Sequence, residues 1–230
     1  MIPKVDLNLH PSSDTVICSL AIGEHQNLLN LMKPTVDLYA NTHGFDTVFV
    51  TYPLTNRPVA WDKVVLIRKL LDDYSLVIWM DADTMIVNPR QNIKDDLDSN
   101  YDMHLCTHKG VEPCCPNTGV WVVKKTARSI QILEDIWNQT DYIPNHPWEQ
   151  GALFKLLGYP NPRDFFYYVG PTEYTHCIKT LDIKYNSMMS WGGFLGASSN
   201  PVIVHHCGVP LEERLTSMQE SYNLFLQNKQ

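Results

Sequence analysis

No apolar run in these 230 residues is long enough to cross a membrane, which excludes a spanning helix from the expected architecture. Nothing at the start resembles a secretion signal: Met1 to Ser13 is polar, and the first apolar run, Val16 to Ile22, is short. No repeat, low-complexity tract or linker divides the chain, so one large α/β domain accounts for its length. Basic residues are in the minority, 18 against 25 acidic ones, and they are scattered, which argues against a nucleic-acid surface. The six cysteines lack the spacing of a disulfide framework, and Cys114 and Cys115 are neighbours. Reduced thiols and a cytoplasmic location are therefore expected, and the Asn138-Gln139-Thr140 sequon is then silent.

What the chain does have is concentrated at residues 77 to 89, Val-Ile-Trp-Met-Asp-Ala-Asp-Thr-Met-Ile-Val-Asn-Pro. An apolar run with the character of a buried strand ends in two carboxylates, Asp81 and Asp83. In extended backbone, residues two apart point to the same side, so both carboxylates are expected to face one object. At the carboxyl end of a strand in an open α/β sheet, that object is usually a ligand. Two converging carboxylates repel unless a cation lies between them, which suggests Mn²⁺ or Mg²⁺ carrying phosphates. The plainer alternative is a strand end with solvated acids in a turn.

Periodicity places the remaining elements. Thr15 to Ile22, Phe45 to Thr51, Met103 to Thr107, Gly119 to Val123 and Pro201 to His206 read as further strands. Helices are expected from Gly23 through Ala40, with Pro34 starting, kinking or breaking that segment, and over Trp61 to Leu71. Others are expected over Ala127 to Asn138, Pro147 to Leu157 (Pro147 in the first turn) and Pro210 to Gln227. Alternating strands and helices in the first half predict a parallel sheet with helices on both faces. The second half is more irregular and is expected to supply a pocket for a second substrate.

Three downstream signals accompany the acidic strand end. Asn117-Thr118-Gly119 forms a small polar entrance to a strand. Glu149 and Gln150 stand in the first turn of a helix, where the dipole favours a carboxylate whether or not it has a chemical role. His205 and His206 end a strand, and a histidine there either ligates a metal or simply packs.

In this order the motifs resemble those of the GT-A-fold, nucleotide-sugar-dependent glycosyltransferases. The likeness is greatest to the retaining glycogenin/galactosyltransferase-like and xylosyltransferase/mannosyltransferase-like groups, and it runs from about Thr15 to Gly208. It implies a single GT-A (Rossmann-like) α/β domain over 1–230, with a central, mostly parallel sheet flanked by helices. Residues to about 115 would form the nucleotide-sugar half, and those from about 116 an irregular acceptor half. By resemblance Asp81, Asp83 and His205 bind Mn²⁺ (or Mg²⁺), which holds the donor diphosphate. The backbone of Ala21, Ile22 and Gly23 would cradle base and ribose. Lys63, Arg68 and Gly208 would contact the donor, and Asn117, Glu149 and Gln150 would line the sugar, with Glu149 and Gln150 as catalytic candidates. The implied reaction moves a sugar from a nucleoside-diphosphate sugar, a UDP-sugar, to a hydroxyl acceptor such as a glycan, with retention.

One departure matters. The family often places a lysine shortly after the late His and Gly, and Val209-Pro210-Leu211-Glu212 offers none. Lys63, Arg68 or another basic residue would then grip the diphosphate, or the metal would bear the charge alone. Two rival readings are an aspartate-dependent phosphatase and a zinc-binding interaction module. The first is weakened by Met85 at the place where its pattern has Thr or Val; the second would use His104, Cys106, His108, Cys114 and Cys115, whose spacing matches no paired-cysteine signature.

Overall fold

The computed structural model describes residues 1–107, 116–161, 167–188 and 196–228. Nine strands and five α-helices are found among them. In chain order they are β1 (Thr15–Leu20), α1 (Gln26–His43), β2 (Asp46–Val50), α2 (Asp62–Asp73), β3 (Leu76–Met80), β4 (Thr84–Ile86) and β5 (Met103–Thr107). There follow β6 (Pro116–Lys124), α3 (Ala127–Trp137), α4 (Trp148–Leu156), β7 (Ile178–Thr180), β8 (Ser187–Met188), β9 (Ile203–His205) and α5 (Leu211–Asn228). The main sheet has the order β2-β1-β3-β6-β5-β7. Three of its five pairings are parallel, and β6 runs antiparallel to both neighbours.

The central strands are apolar without interruption because the sheet is covered on both faces. Val77 and Trp79 of β3 pack with Trp61, Leu66, Leu70, Leu133 and Phe154 on the face of α2, α3 and α4. Ile78 and Met80 turn the other way, against Met32, Val36 and Met218 of α1 and α5. Trp121 and Val123 of β6 join the first cluster, and Val120 and Val122 the second. Burying alternate residues of one strand in two separate cores fixes its register, since a one-residue slip would exchange the two sets.

Several expectations are corrected. Pro34 neither starts nor ends α1, which runs through it and stops at Gly44, a left-handed cap with φ 70°. Pro34 brings no backbone donor, and burial of Leu29, Met32 and Val36 on the same helix outweighs that lost hydrogen bond. Pro147 stands just before α4 rather than in its first turn. A small second sheet, β4-β9-β8, was not expected: β9 pairs antiparallel with β4 and parallel with β8. β9 falls within the strand expected over Pro201 to His206, whereas β4 and β8 are only three and two residues long, too short to leave a periodic signal. Among the described residues, no helix is long and apolar enough to cross a membrane.

Candidate active site

The carboxyl ends of β1 and β3 open onto a cleft of about 330 Å³. Asp81, Asp83, Lys63, Asn117, Thr118, Glu149, Gln150, His205 and Gly208 all line it. The two aspartates converge, but not through strand alternation. β3 ends at Met80, and Asp81 to Thr84 form a turn closed by the Thr84 N–H on the Asp81 carbonyl at 3.0 Å. The Thr84 hydroxyl donates to the same carbonyl at 2.7 Å, so the turn is pinned twice.

The small sheet delivers His205 to this turn. Thr84 of β4 lies opposite His205 of β9 in the ladder. His205 Nε2 is 3.2 Å from Asp83 Oδ1 and 4.0 Å from Asp81 Oδ2. One ligand atom from each of the three residues lies within 4.8 Å of the others, a spacing one divalent ion can bridge. His206 faces away: its Nδ1 and Nε2 meet the hydroxyls of Ser217 and Ser221 on α5, at 2.8 and 3.2 Å. Burial, aided by the neighbouring His205, lowers the His206 pKa to about 4.

Two cations flank the carboxylates. Lys63, reaching inward from α2, places Nζ 2.9 Å from Asp81 Oδ1 and 2.9 Å from Glu149 Oε1, and it also donates to the Thr118 carbonyl. Burial works against its charge, but Asp81 and Glu149 outweigh burial and hold the ammonium above its usual range. Burial raises the Glu149 carboxyl, an effect that Lys63 partly offsets. Glu149 Oε2 is buried without a partner. The second cation, Arg214 of α5, sets Nη1 3.0 Å from Asp83 Oδ2 and lines the cleft. Burial alone would raise Asp83, yet His205 and Arg214 keep it well below the usual carboxylate range. Burial likewise opposes the imidazolium of His205, and Cys207 and Asp83 raise it well above the ordinary histidine value.

Arg214 is a basic residue beyond Gly208, two positions past the Val209-Pro210-Leu211-Glu212 segment that lacks a lysine. A cation in the first turn of a helix opposes the dipole, and that anomaly was the signal available for it. Arg68 is not brought to the cleft. It pairs with Asp72 at 2.7 Å on the outer side of α2, the ordinary i,i+4 arrangement of a solvated helix face. Ala21 continues the β1–β2 pairing through its N–H to Val50, and Gly23 (φ 60°) opens a short turn; neither lines the cleft, whereas Leu20 does. Gln150 Oε1 accepts from the Thr118 N–H at 2.9 Å, so that oxygen is committed to β6 and the amide NH₂ is left to face elsewhere.

Two residues of the rival zinc set, His104 and Cys106, lie among the described residues. His104 Nε2 accepts from the Asp98 N–H, and Cys106 is buried with its thiol on the Asp182 carbonyl. His108, Cys114 and Cys115 lie outside the described residues.

A sequence profile described as "Protein of unknown function, DUF273" matches residues 36–185. The chain belongs to that family. No curated protein matches the sequence. Solved structures resemble this member of the family over most of its length. One is a glycosyltransferase involved in the glycosylation of the major capsid of PBCV-1, with TM-score 0.65 and 20% identity over 90% of this chain and 98% of that one. Another is the galactosyltransferase LgtC in complex with donor and acceptor sugar analogues, with TM-score 0.54 and 11% identity over 92% and 95%. A third is mouse xyloside xylosyltransferase 1, with TM-score 0.51 and 9% identity over 85% and 99%. At these identities the likeness is one of fold, and the fold is GT-A.

Proposed function

We propose that this protein is a metal-dependent glycosyltransferase that moves a sugar from a nucleoside-diphosphate sugar, a UDP-sugar, to a hydroxyl of a glycan with retention of configuration. The observation that carries this reading is the convergence of Asp81, Asp83 and His205 at the strand ends of a GT-A fold, in a cleft flanked by Lys63 and Arg214. With His205 neutral, as a metal ligand must be, Asp81, Asp83 and Glu149 against Lys63 and Arg214 leave one negative charge in excess in the cleft. One divalent cation reverses that sign and makes the site attractive to a diphosphate. The donor atoms, two carboxylate oxygens and one imidazole nitrogen, suit Mn²⁺ and, less well, Mg²⁺. Bound there, the ion would supply Lewis-acid stabilisation of the charge that builds on the leaving diphosphate.

The chain's own groups do the rest. Arg214 supplies a fixed cation for the diphosphate in place of the expected lysine, and Lys63 holds Asp81 and Glu149 at 2.9 Å in one geometry. The end of β1, where Leu20 lines the cleft, receives base and ribose. Glu149 Oε2, buried and unpartnered, accepts from a sugar hydroxyl or stabilises positive charge at the anomeric centre. The Gln150 NH₂ is a donor rather than a nucleophile, because its oxygen is spent on Thr118. Three free cysteines among the described residues, Cys18, Cys106 and Cys177, favour a reducing cytoplasm.

A thermal-shift screen of nucleotide sugars, with and without Mn²⁺, tests the assignment. The midpoint should rise only when ion and donor are both present, by an amount set by donor concentration over Kd. A screen in which no nucleotide sugar shifts the midpoint would remove the reading.

A further inference from the structure

The polarity of a short hydrogen-bond chain behind His205 can be read from one end. The Gly119 backbone N–H can only donate, so the Asn117 side-chain atom 2.8 Å away is its carbonyl oxygen. That oxygen also lies 2.8 Å from Asn186, which must therefore present its amide nitrogen. The Asn186 oxygen is thereby turned to the other side, where it meets His205 Nδ1 at 2.8 Å. An amide oxygen can only accept, so Nδ1 carries the proton. In the neutral ring the lone pair is then on Nε2, the atom that faces Asp83 and Asp81.

The ring is also packed against Gly119. A Cβ placed on Gly119 would lie 2.2 Å from His205 Cε1 and 2.6 Å from Nδ1, closer than any packed contact. The imidazole thus occupies the space that a side chain at Gly119 would fill. Asn186 is wholly buried, precedes β8 of the small sheet and does not line the cleft. It touches no substrate. Its two polar ends are spent on Asn117 and His205.

We propose that Asn186 is a positioning residue that, backed by Asn117 and Gly119, selects the Nδ1–H tautomer of His205 and aims Nε2 at the ion held by Asp81 and Asp83. The proposal rests on the metal reading for its consequence, but the tautomer itself does not. Without Asn186 the ring can rotate or exchange tautomers and present N–H to the two carboxylates. Partners of this kind behind a ligating histidine typically set metal affinity by about 10–100-fold.

Two measurements test it. First, ¹⁵N NMR of the His205 ring in the wild-type chain, in buffer alkaline enough to keep the ring neutral, should show the proton on Nδ1; a proton on Nε2 overturns the proposal. This readout needs no ion, so an Nδ1 proton in a chain that binds no Mn²⁺ would refute the glycosyltransferase reading and leave the positioning role standing. Second, Mn²⁺ titration followed by electron paramagnetic resonance should show Asn186→Leu folded but weaker for Mn²⁺ by about 10–100-fold. Asn186→Asp, which still offers an oxygen to Nδ1–H but loses the donor to Asn117, should recover part of that loss. A folded Asn186→Leu variant with wild-type Mn²⁺ affinity would also overturn the proposal.

Discussion

At the scale of single residues, adjacent histidines on one strand have opposite duties. His205 faces two carboxylates and His206 faces two serines of α5. His205→Ala should weaken Mn²⁺ about tenfold or more, because one of three protein ligands is gone. His206→Ala should leave Mn²⁺ affinity within a few-fold of wild type but destabilise the fold by about 2 kcal/mol, since it removes buried packing and two hydrogen bonds. Metal titration and thermal melts of the two variants separate these effects, and a larger Mn²⁺ loss at His206 would show that the ligand was misassigned. Gly119→Ala should combine both penalties. Its Cβ has nowhere to go but into the His205 ring, so Mn²⁺ affinity should drop at least tenfold, with an overpacking cost of about 1–3 kcal/mol visible in the melt.

At the scale of elements, the site is assembled by three pieces that each bring one kind of group. The turn after β3 brings carboxylates, the small sheet brings the imidazole, and α5 brings a guanidinium. The helix is tied to β9 through His206, so Arg214 is held where it is by contacts at some remove from it. Arg214→Ala should weaken donor binding about tenfold, roughly 1.4 kcal/mol, even with Mn²⁺ saturating. Arg214→Lys should recover part of that, because a point charge replaces a fork. Nucleotide-sugar titration at fixed Mn²⁺ reads both; an unchanged donor Kd in Arg214→Ala would remove the residue from the diphosphate site. The start of α4 calls for a kinetic test instead. Glu149→Gln should lower kcat more than it raises donor KM, the mark of a group that acts mainly in the transition state. NMR of the product anomer then reports retention, or else inversion, which would make Glu149 a general base.

At the scale of the whole molecule, a buried histidine far from the cleft sets an acid limit. His104 of β5 accepts the Asp98 N–H through Nε2, and burial, with Lys124 nearby, lowers its pKa to about 4. The unfolded chain takes up this proton near pH 6.5, so between 6.5 and 4 it binds protons that the folded chain does not. Stability should therefore fall as pH drops through that window, with His104 contributing at most about 3 kcal/mol. Denaturant midpoints at a series of pH values, for wild type and His104→Gln, isolate this component; identical slopes in the two would show that the ring is not the cause.

The sequence by itself determined the central strands of the sheet and the acidic strand end. β1, β3 and β6 are buried on both faces, so their apolar runs are unbroken, and a local pattern of that kind survives any change of partner. Asp81, Asp83, Glu149 and His205 stood out for the same reason: each follows an apolar run or opens a helix. Only the tertiary structure decided how they are oriented. A turn, not strand alternation, brings the aspartates together, and Arg68 goes to solvent while Arg214 comes in from α5. Asn186 and Asn117 meet across 69 positions of chain, through side chains with no periodic signature. Contacts of that range leave no trace in local composition, because hydrogen-bond polarity and steric room are properties of the assembled pair rather than of either segment.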